Sequence, residues 1–175
     1  MTNIYKKVNS SDFCISIFDG THDSPKYFES GYPLVTSKYI INNKVASGLA
    51  PLIQKSDFDQ INIRSKVQKL DVLVSMIGTV GNVAIVDSNP DYAIKNIGVL
   101  RAKSELDAKY LFYYMQSRTA QLEIANSLAG STQPFLSLNQ LRNFPIFVPE
   151  CDDEKQHIVN SMRRCKYACK IIQHS

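Results

Sequence analysis

Hydrophobic positions along this chain follow two periods, and the change between them falls near Arg101. Before it, apolar runs are short, rich in Val and Ile, and closed by Gly, Pro, Asn or Asp, which predicts strands and turns. Phe13-Cys-Ile-Ser-Ile-Phe18 is such a run, stopped by Asp19-Gly20, and Thr21-His-Asp-Ser-Pro25 reads as a polar turn. Pro33 to Ile41 alternates as a strand that Asn42-Asn43 closes, and Ser56 to Ile61 reads as a short helix with Ser56 as its N-cap. The strongest β pattern is Leu70 to Ile77, then Gly78-Thr-Val-Gly81, then Val83 to Val86, two β-branched runs around a two-glycine loop. Ile94 to Arg101 predicts a further strand. Beyond Arg101 the period becomes helical. Ser104-Glu-Leu-Asp107 is a capped start, and Leu111, Tyr114, Met115, Leu122 and Ala125 fall on one face of a helix to about Asn126. Gly130-Ser-Thr-Gln-Pro134 breaks it, Ser137 to Arg142 is a small capped turn, and Phe144 to Pro149 is a short strand. Finally, Ile158, Met162, Cys165, Cys169 and Ile172 are spaced 4, 3, 4 and 3 apart, the a/d pattern of a coiled-coil-like seam. Such a stripe asks for apolar cover, from the domain's own body or from a second helix.

These elements predict an α+β fold with a mixed, mainly antiparallel β core and flanking helices. It occupies 1–150, and a C-terminal helix follows over 151–175. A length of 175 residues with 44% hydrophobic and 21% charged residues suits one domain with a core, and excludes a disordered tail or a fibre. No stretch approaches the ~20 apolar residues of a membrane helix, and the amino end has no apolar signal segment, so a soluble, cytoplasmic protein is expected. The net charge of +4 permits nucleic acid without demanding it. Cys14, Cys151, Cys165 and Cys169 form no CxxC pair, and Cys165 and Cys169 with His174 lack a fourth ligand, so neither a metal nor a cofactor is expected.

Several motifs offer chemistry. Asn89-Pro-Asp-Tyr92 resembles the Asn-Pro-Pro-Tyr of amino-methyltransferases but lacks the second Pro and a glycine-rich cofactor turn, so it reads as a turn. Gly78-Thr-Val-Gly81 has the form of an RNA-clamping KH loop, yet its flanks are strands rather than helices, and no Lys-Ser or Lys-Thr follows to make a P-loop. Its glycines would still let backbone approach a phosphate or base closely. Asp19, His22 and Asp23 group carboxylates with an imidazole, which allows a small hydrolase-type enzyme, although Asx-turn chemistry explains the aspartates more simply. Cys151 with His157 is a weaker nucleophile pair, because His157 lies beside the seam. Ser131, Thr132 and Gln133 form a polar tip of the residue types that reach base edges and phosphates.

Taken in order, Asp19-Gly-Thr-His-Asp-Ser-Pro25, Asp71-Val-Leu-Val-Ser-Met-Ile-Gly-Thr-Val-Gly-Asn-Val-Ala-Ile85, Tyr110-Leu-Phe-Tyr-Tyr-Met-Gln-Ser117, Gly130-Ser-Thr-Gln-Pro-Phe-Leu-Ser-Leu138, Phe144-Pro-Ile-Phe-Val-Pro149 and Glu154-Lys-Gln-His-Ile158 resemble the target recognition domain of the DNA specificity subunit of Type I restriction-modification systems. The resemblance implies a non-catalytic subunit that reads double-stranded DNA and holds methyltransferase (modification) subunits, with restriction subunits added for cleavage. Members carry two recognition domains separated by paired spacer helices, each domain reading half of a split target. This sequence holds one domain and the start of one helix, either as a fragment or as a half-subunit that pairs with a second copy through Ile158, Met162, Cys165, Cys169 and Ile172. A homodimer would read a gapped palindrome. For DNA contact the expected residues are Ser75 and Thr79 by the glycine hairpin, where Gly78 and Gly81 allow close approach, Gly130, Ser131, Thr132 and Gln133 in the second tip, Lys38, Arg64 and Lys95 as phosphate or guanine ligands, and Asn96 for adenine. Turn geometry alone also accounts for Gly78, Gly81 and Gly130. The competing readings are an assembly module that associates through the C-terminal helix without reading DNA, and the Asp19/His22/Asp23 enzyme.

Overall fold

The computed structural model describes residues 5–129 and 133–172, with side chains described as far as Cys165 in the last helix. From the amino end the chain forms β1 (Tyr5–Asn9), α1 (Ser10–Phe13), β2 (Cys14–Asp19), β3 (Tyr32–Val35), β4 (Ile40–Ile41), β5 (Lys44–Val45) and β6 (Leu52–Ile53). There follow α2 (Lys55–Ser65), β7 (Val72–Ser75), β8 (Val83–Ile85), β9 (Ala93–Ile94) and β10 (Ile97–Ala102). The carboxyl third contains α3 (Glu105–Met115), α4 (Arg118–Leu128), α5 (Leu138–Arg142), β11 (Pro145–Pro149) and α6 (Asp152–Ile172).

The central sheet has the order β2-β10-β7-β8 and is antiparallel throughout. Its strands β7 and β8 read as nearly unbroken apolar runs because both faces of the sheet are covered there. Val72 and Val74 of β7 and Leu100 of β10 pack with residues of α3, α4 and α5, whereas Leu73, Ile97 and Val99 join Val35, Ile40 and Ile94 on the other face. With no solvent face, a half-polar alternation would bury unpaired polar groups. The second face is roofed by the β6-β3-β9 sheet, in which β3 and β9 run parallel, and by the β4–β5 hairpin. The fold class is therefore α+β, mixed and mainly antiparallel, as the sequence predicts. β1 pairs with β11, so the amino end lies beside the strand that feeds α6.

The predicted elements differ from the observed ones where tertiary contacts redirect the chain. The predicted strand from Pro33 to Ile41 is broken by a 3-10 turn at Ser37–Tyr39, closed by Tyr39 N–H on the Thr36 carbonyl (2.9 Å). The predicted strand from Ile94 to Arg101 is cut at Asn96, whose φ of 55° lets the chain leave the small sheet at β9 and enter the central one at β10. The predicted long helix is two helices. Ser117 ends the first and caps the second by accepting Ala120 N–H (3.2 Å), which shifts the helical phase. Ala120 and Ile124 are consequently the buried positions of α4, and Leu122 and Ala125 are exposed. The N-cap of α2 is Gln54 rather than Ser56, with Lys55 already in the helix and paired to Asp59. The caps at Ser104 and Ser137 are as predicted, the latter a full capping box with Gln140.

The last helix has two parts. Lys155 and Val159 are buried and Ile158 packs on the main core, so the first turns of α6 belong to the domain body, held by Lys155 Nζ on Asp107 (2.6 Å). Met162 and Cys165, the next seam positions, are exposed. The side chains of Cys169 and Ile172 lie outside the described residues. Among the described residues no helix is long and apolar enough to cross a membrane.

Candidate nucleic-acid interface

One end of the central sheet gathers the exposed polar loops. β2 and β7 finish there at Asp19 and Ser75, and β8 and β10 begin there at Val83 and Ile97. Antiparallel pairing brings these four termini side by side, and the segments joining them form a single surface. Asn96 is its hub. Its N–H donates to the Thr21 carbonyl (3.1 Å), and its own carbonyl accepts Met76 N–H (3.2 Å) and the Ser37 hydroxyl (3.5 Å). The chain after Gln133 joins the same surface through Leu136 N–H on the Met76 carbonyl (2.9 Å) and a bridge between Ile77 and Phe135.

The glycine loop runs longer than predicted, from Met76 to Asn82, because Met76 turns inward and leaves the β7–β8 ladder. Gly78 and Gly81 have φ of 78° and 90°, a region that favours glycine. Gly78 has open space around it, which leaves the backbone at the tip accessible. Gly81 is instead pressed onto α4, where a Cβ would lie 3.2 Å from Gln121 Oε1, and Gln121 Nε2 donates to its carbonyl (3.0 Å).

The predicted site residues separate accordingly. Gly78, Thr79, Lys38, Lys95, Asn96 and Gln133 lie on this surface. Ser75 lies beneath the surface: it is fully buried, its hydroxyl donates to the Thr79 carbonyl and accepts Asn82 N–H (3.0 Å), and it shapes the loop from below. Gly81 is likewise buried and acts by geometry. Arg64 is exposed on the last turn of α2, and Lys66 just beyond it bonds Arg101, at the opposite end of β10 from Asn96 (3.0 Å). The fold does not bring Arg64 to the loops. Gly130, Ser131 and Thr132 lie outside the described residues.

Positive charge sits at the edge of this surface. Lys95 Nζ donates to Ser24 Oγ (2.5 Å), and Lys38 lies 4.9 Å from the Tyr39 ring. A hydrogen bond to Tyr39 raises the Lys38 pKa above the ordinary lysine range. His22 Nε2 is 2.9 Å from Asp19 Oδ2, and Nδ1 is 2.7 Å from Asn96 Oδ1. An enzyme of the kind weighed above needs a nucleophile on one ring nitrogen, and here that nitrogen faces an amide. Sequence reasoning missed Ile77 and Phe135, which are 40% and 41% exposed beside the polar tips. An apolar residue next to loop punctuation reads as the end of a core strand, and only the bridge between these two reveals an exposed apolar pair.

Comparison with known proteins agrees with this architecture. A family model described as Type I restriction modification DNA specificity domain matches residues 3–174. The fold is similar to the S subunit of a Type-I restriction-modification system from M. genitalium, with a TM-score of 0.65 and 16% identity over 99% of this chain and 42% of that one. It is similar also to a chain of a type I R-M system characterised for complex assembly and conformational transition (TM-score 0.70, 19% identity, 97% of this chain and 40% of that one). A third is the HsdS subunit from Thermoanaerobacter tengcongensis (TM-score 0.67, 17% identity, 97% and 44%). The chain thus spans between 40% and 44% of the length of these solved relatives. No curated protein matches it in sequence.

Proposed function

This chain belongs to the Type I restriction modification DNA specificity domain family, and from that premise we propose that it reads one half of a bipartite double-stranded DNA target through the loops at the Asn96 end of its central sheet. The observation that supports this most is the convergence of segments 19–24, 76–82, 95–96 and 133–136 on one surface, with Lys38 and Lys95 at its edge. Lysines there neutralise phosphates and position the domain; Thr79, Asn96 and Gln133 are the residue types that meet base edges, and the Ile77–Phe135 pair suits a thymine methyl or a sugar face. The domain itself performs no catalytic step. It directs methyltransferase subunits, and restriction subunits in the full complex, to the sequence.

The recognition domain in this reading extends to about Asn160, since Lys155 and Val159 are part of its core. The remainder of α6, beginning with exposed Met162 and Cys165, is the spacer and pairing element through which two copies present identical domains to a gapped palindrome. Cutting the chain after Asn160 should then spare the fold and abolish association, whereas cutting before Asp152 should unfold the domain.

The test is to express the chain with its cognate modification subunit in an unmethylated host and to map N6-methyladenine. A single gapped palindrome is the expected result. In vitro, log K for duplex DNA should fall against log salt with a slope of roughly −0.9 per neutralised phosphate, and Lys38→Ala or Lys95→Ala should each reduce that slope by about 1. Methylation that is absent despite a folded modification subunit, together with salt-insensitive DNA binding, would overturn the reading.

A further inference from the structure

We infer that His22 is a positioning residue that selects which hydrogen-bonding face of the Asn96 side chain is presented to DNA, so that the base preference at one position depends on whether the imidazole is charged. The inference rests on the DNA-reading surface proposed above and adds a specificity device to it.

Asp19 Oδ2, 2.9 Å from His22 Nε2, is a carboxylate oxygen and can only accept, so Nε2 carries a hydrogen. The other nitrogen, Nδ1, lies 2.7 Å from Asn96 Oδ1, and since an amide oxygen only accepts, the orientation in the structure is the one that the charged ring requires. In the neutral ring Nδ1 has only a lone pair and must be met by the amide NH2, which turns the amide oxygen outward. In the charged ring Nδ1 carries a hydrogen and must be met by the amide oxygen, which turns the NH2 outward. The two amide orientations differ by a half-turn about the terminal side-chain torsion, which is broad and two-fold. Ring charge and amide orientation are therefore coupled.

The surroundings permit the turn. Asn96 is half-buried, its main chain is fixed by Thr21, Met76 and Ser37, and within the described residues its side chain bonds only His22. The charged groups around the ring are Asp19 at the end of β2, Asp23 in the same loop and tied to Thr21 Oγ1 (3.3 Å), Lys95 next to Asn96, and Lys38 on the turn whose Ser37 reaches the Asn96 carbonyl. Asp19 accepts from Nε2 in both states, so it anchors the ring without distinguishing them. An outward NH2 donates to the keto oxygens of guanine or thymine, whereas an outward oxygen accepts from the amino groups of adenine or cytosine.

The experiment uses the full chain and two readouts. Nitrogen-15 spectra of the histidine rings, followed from about pH 5.5 to about pH 8, should show neutral His22 with its hydrogen on Nε2 and a bare Nδ1. Selection from a randomised duplex pool at the two pH limits should show one position moving from amino bases at high pH to keto bases at low pH, by on the order of fivefold for one hydrogen bond. In His22→Gln the preference should no longer move with pH. In Asn96→Asp, a residue that tolerates the positive φ, amino bases should be favoured at both limits. Neutral His22 carrying its hydrogen on Nδ1, a wild-type preference that ignores pH, or a shift that survives in His22→Gln each overturns the inference. Failure of the wild-type chain to select any sequence at either pH refutes instead the DNA reading beneath it, a result that a normal His22 spectrum would make unambiguous.

Discussion

Replacing Gly20 by Ala should damage the fold and the site together, by an amount that follows from the backbone around it. Gly20 leaves β2 and is buried against β9, where a Cβ would lie 2.4 Å from the Ile94 carbonyl oxygen and 2.6 Å from its carbon. That is on the order of 1 Å short of contact distance. The obstacle is main chain, not the end of a flexible side chain, so it cannot rotate away. Two hydrogen bonds stand in the path of any shift: Gly20 N–H on the Ile97 carbonyl (2.9 Å) and Thr21 N–H on the Ile94 carbonyl (3.0 Å). Overpacking of this kind costs about 1–3 kcal/mol, and each weakened hydrogen bond about 0.5–1.5 kcal/mol. The lower unfolded-state entropy of Ala returns about 0.4–1 kcal/mol. The net loss is roughly 2–4 kcal/mol, which for a chain of this size lowers Tm by roughly 5–15 °C. Thermal and urea unfolding measure it, with Gly48→Ala as the control, because no atom lies within 4 Å of a Cβ built there. A Gly20→Ala midpoint within about 2 °C of wild type would refute the steric reasoning, and with it the claim that this loop is clamped to β9.

Other residues give equally definite expectations. Asp71→Ala should cost about 3 kcal/mol in urea unfolding, since it strands the Arg101 guanidinium, held by two 2.8 Å bonds, and the Gln68 N–H (2.7 Å); Asp71→Asn, which keeps an acceptor, should cost less, and equal losses would contradict the ion-pair account. Burial pushes the Cys14 thiol up to about 12, so a Cys14→Ser variant should lose no fast-reacting thiol toward Ellman's reagent, the rapid reaction coming from exposed residues such as Cys151 and Cys165. Burial also raises the phenol pKa values of Tyr92, Tyr110 and Tyr114. Unfolded tyrosine ionises near ~10 while these stay neutral in the fold, so their contribution is complete below that pH and is lost as pH rises beyond it; Tm should fall as pH is raised above about 10, and a flat profile there would exclude the effect.

What the sequence by itself determined is local. Capping at Ser104 and Ser137, the apolar runs of β7 and β8, the Asn42-Asn43 turn with both φ positive, and the short strand before α6 follow from interactions a few residues long, which no distant partner needs to complete. The ordered motifs were likewise legible, and with them the family resemblance. Only the tertiary structure decided where the chain changes partners. Residues 94–101 read as one strand because both halves are equally apolar, and the break at Asn96 exists because one half pairs with β3 and the other with β2 and β7. The same holds for the site. Ser75 and Thr79 look alike as small hydroxyl residues in a loop, yet one lies beneath it and the other on its surface. Arg64 and Lys95 look alike as lone cations, yet they lie toward opposite ends of the sheet. His22 and Asn96, 74 residues apart, share a hydrogen bond that no periodicity announces. Short-range preference writes the elements, but a side chain's exposure and neighbours depend on long-range pairing, and function at a surface is built from those.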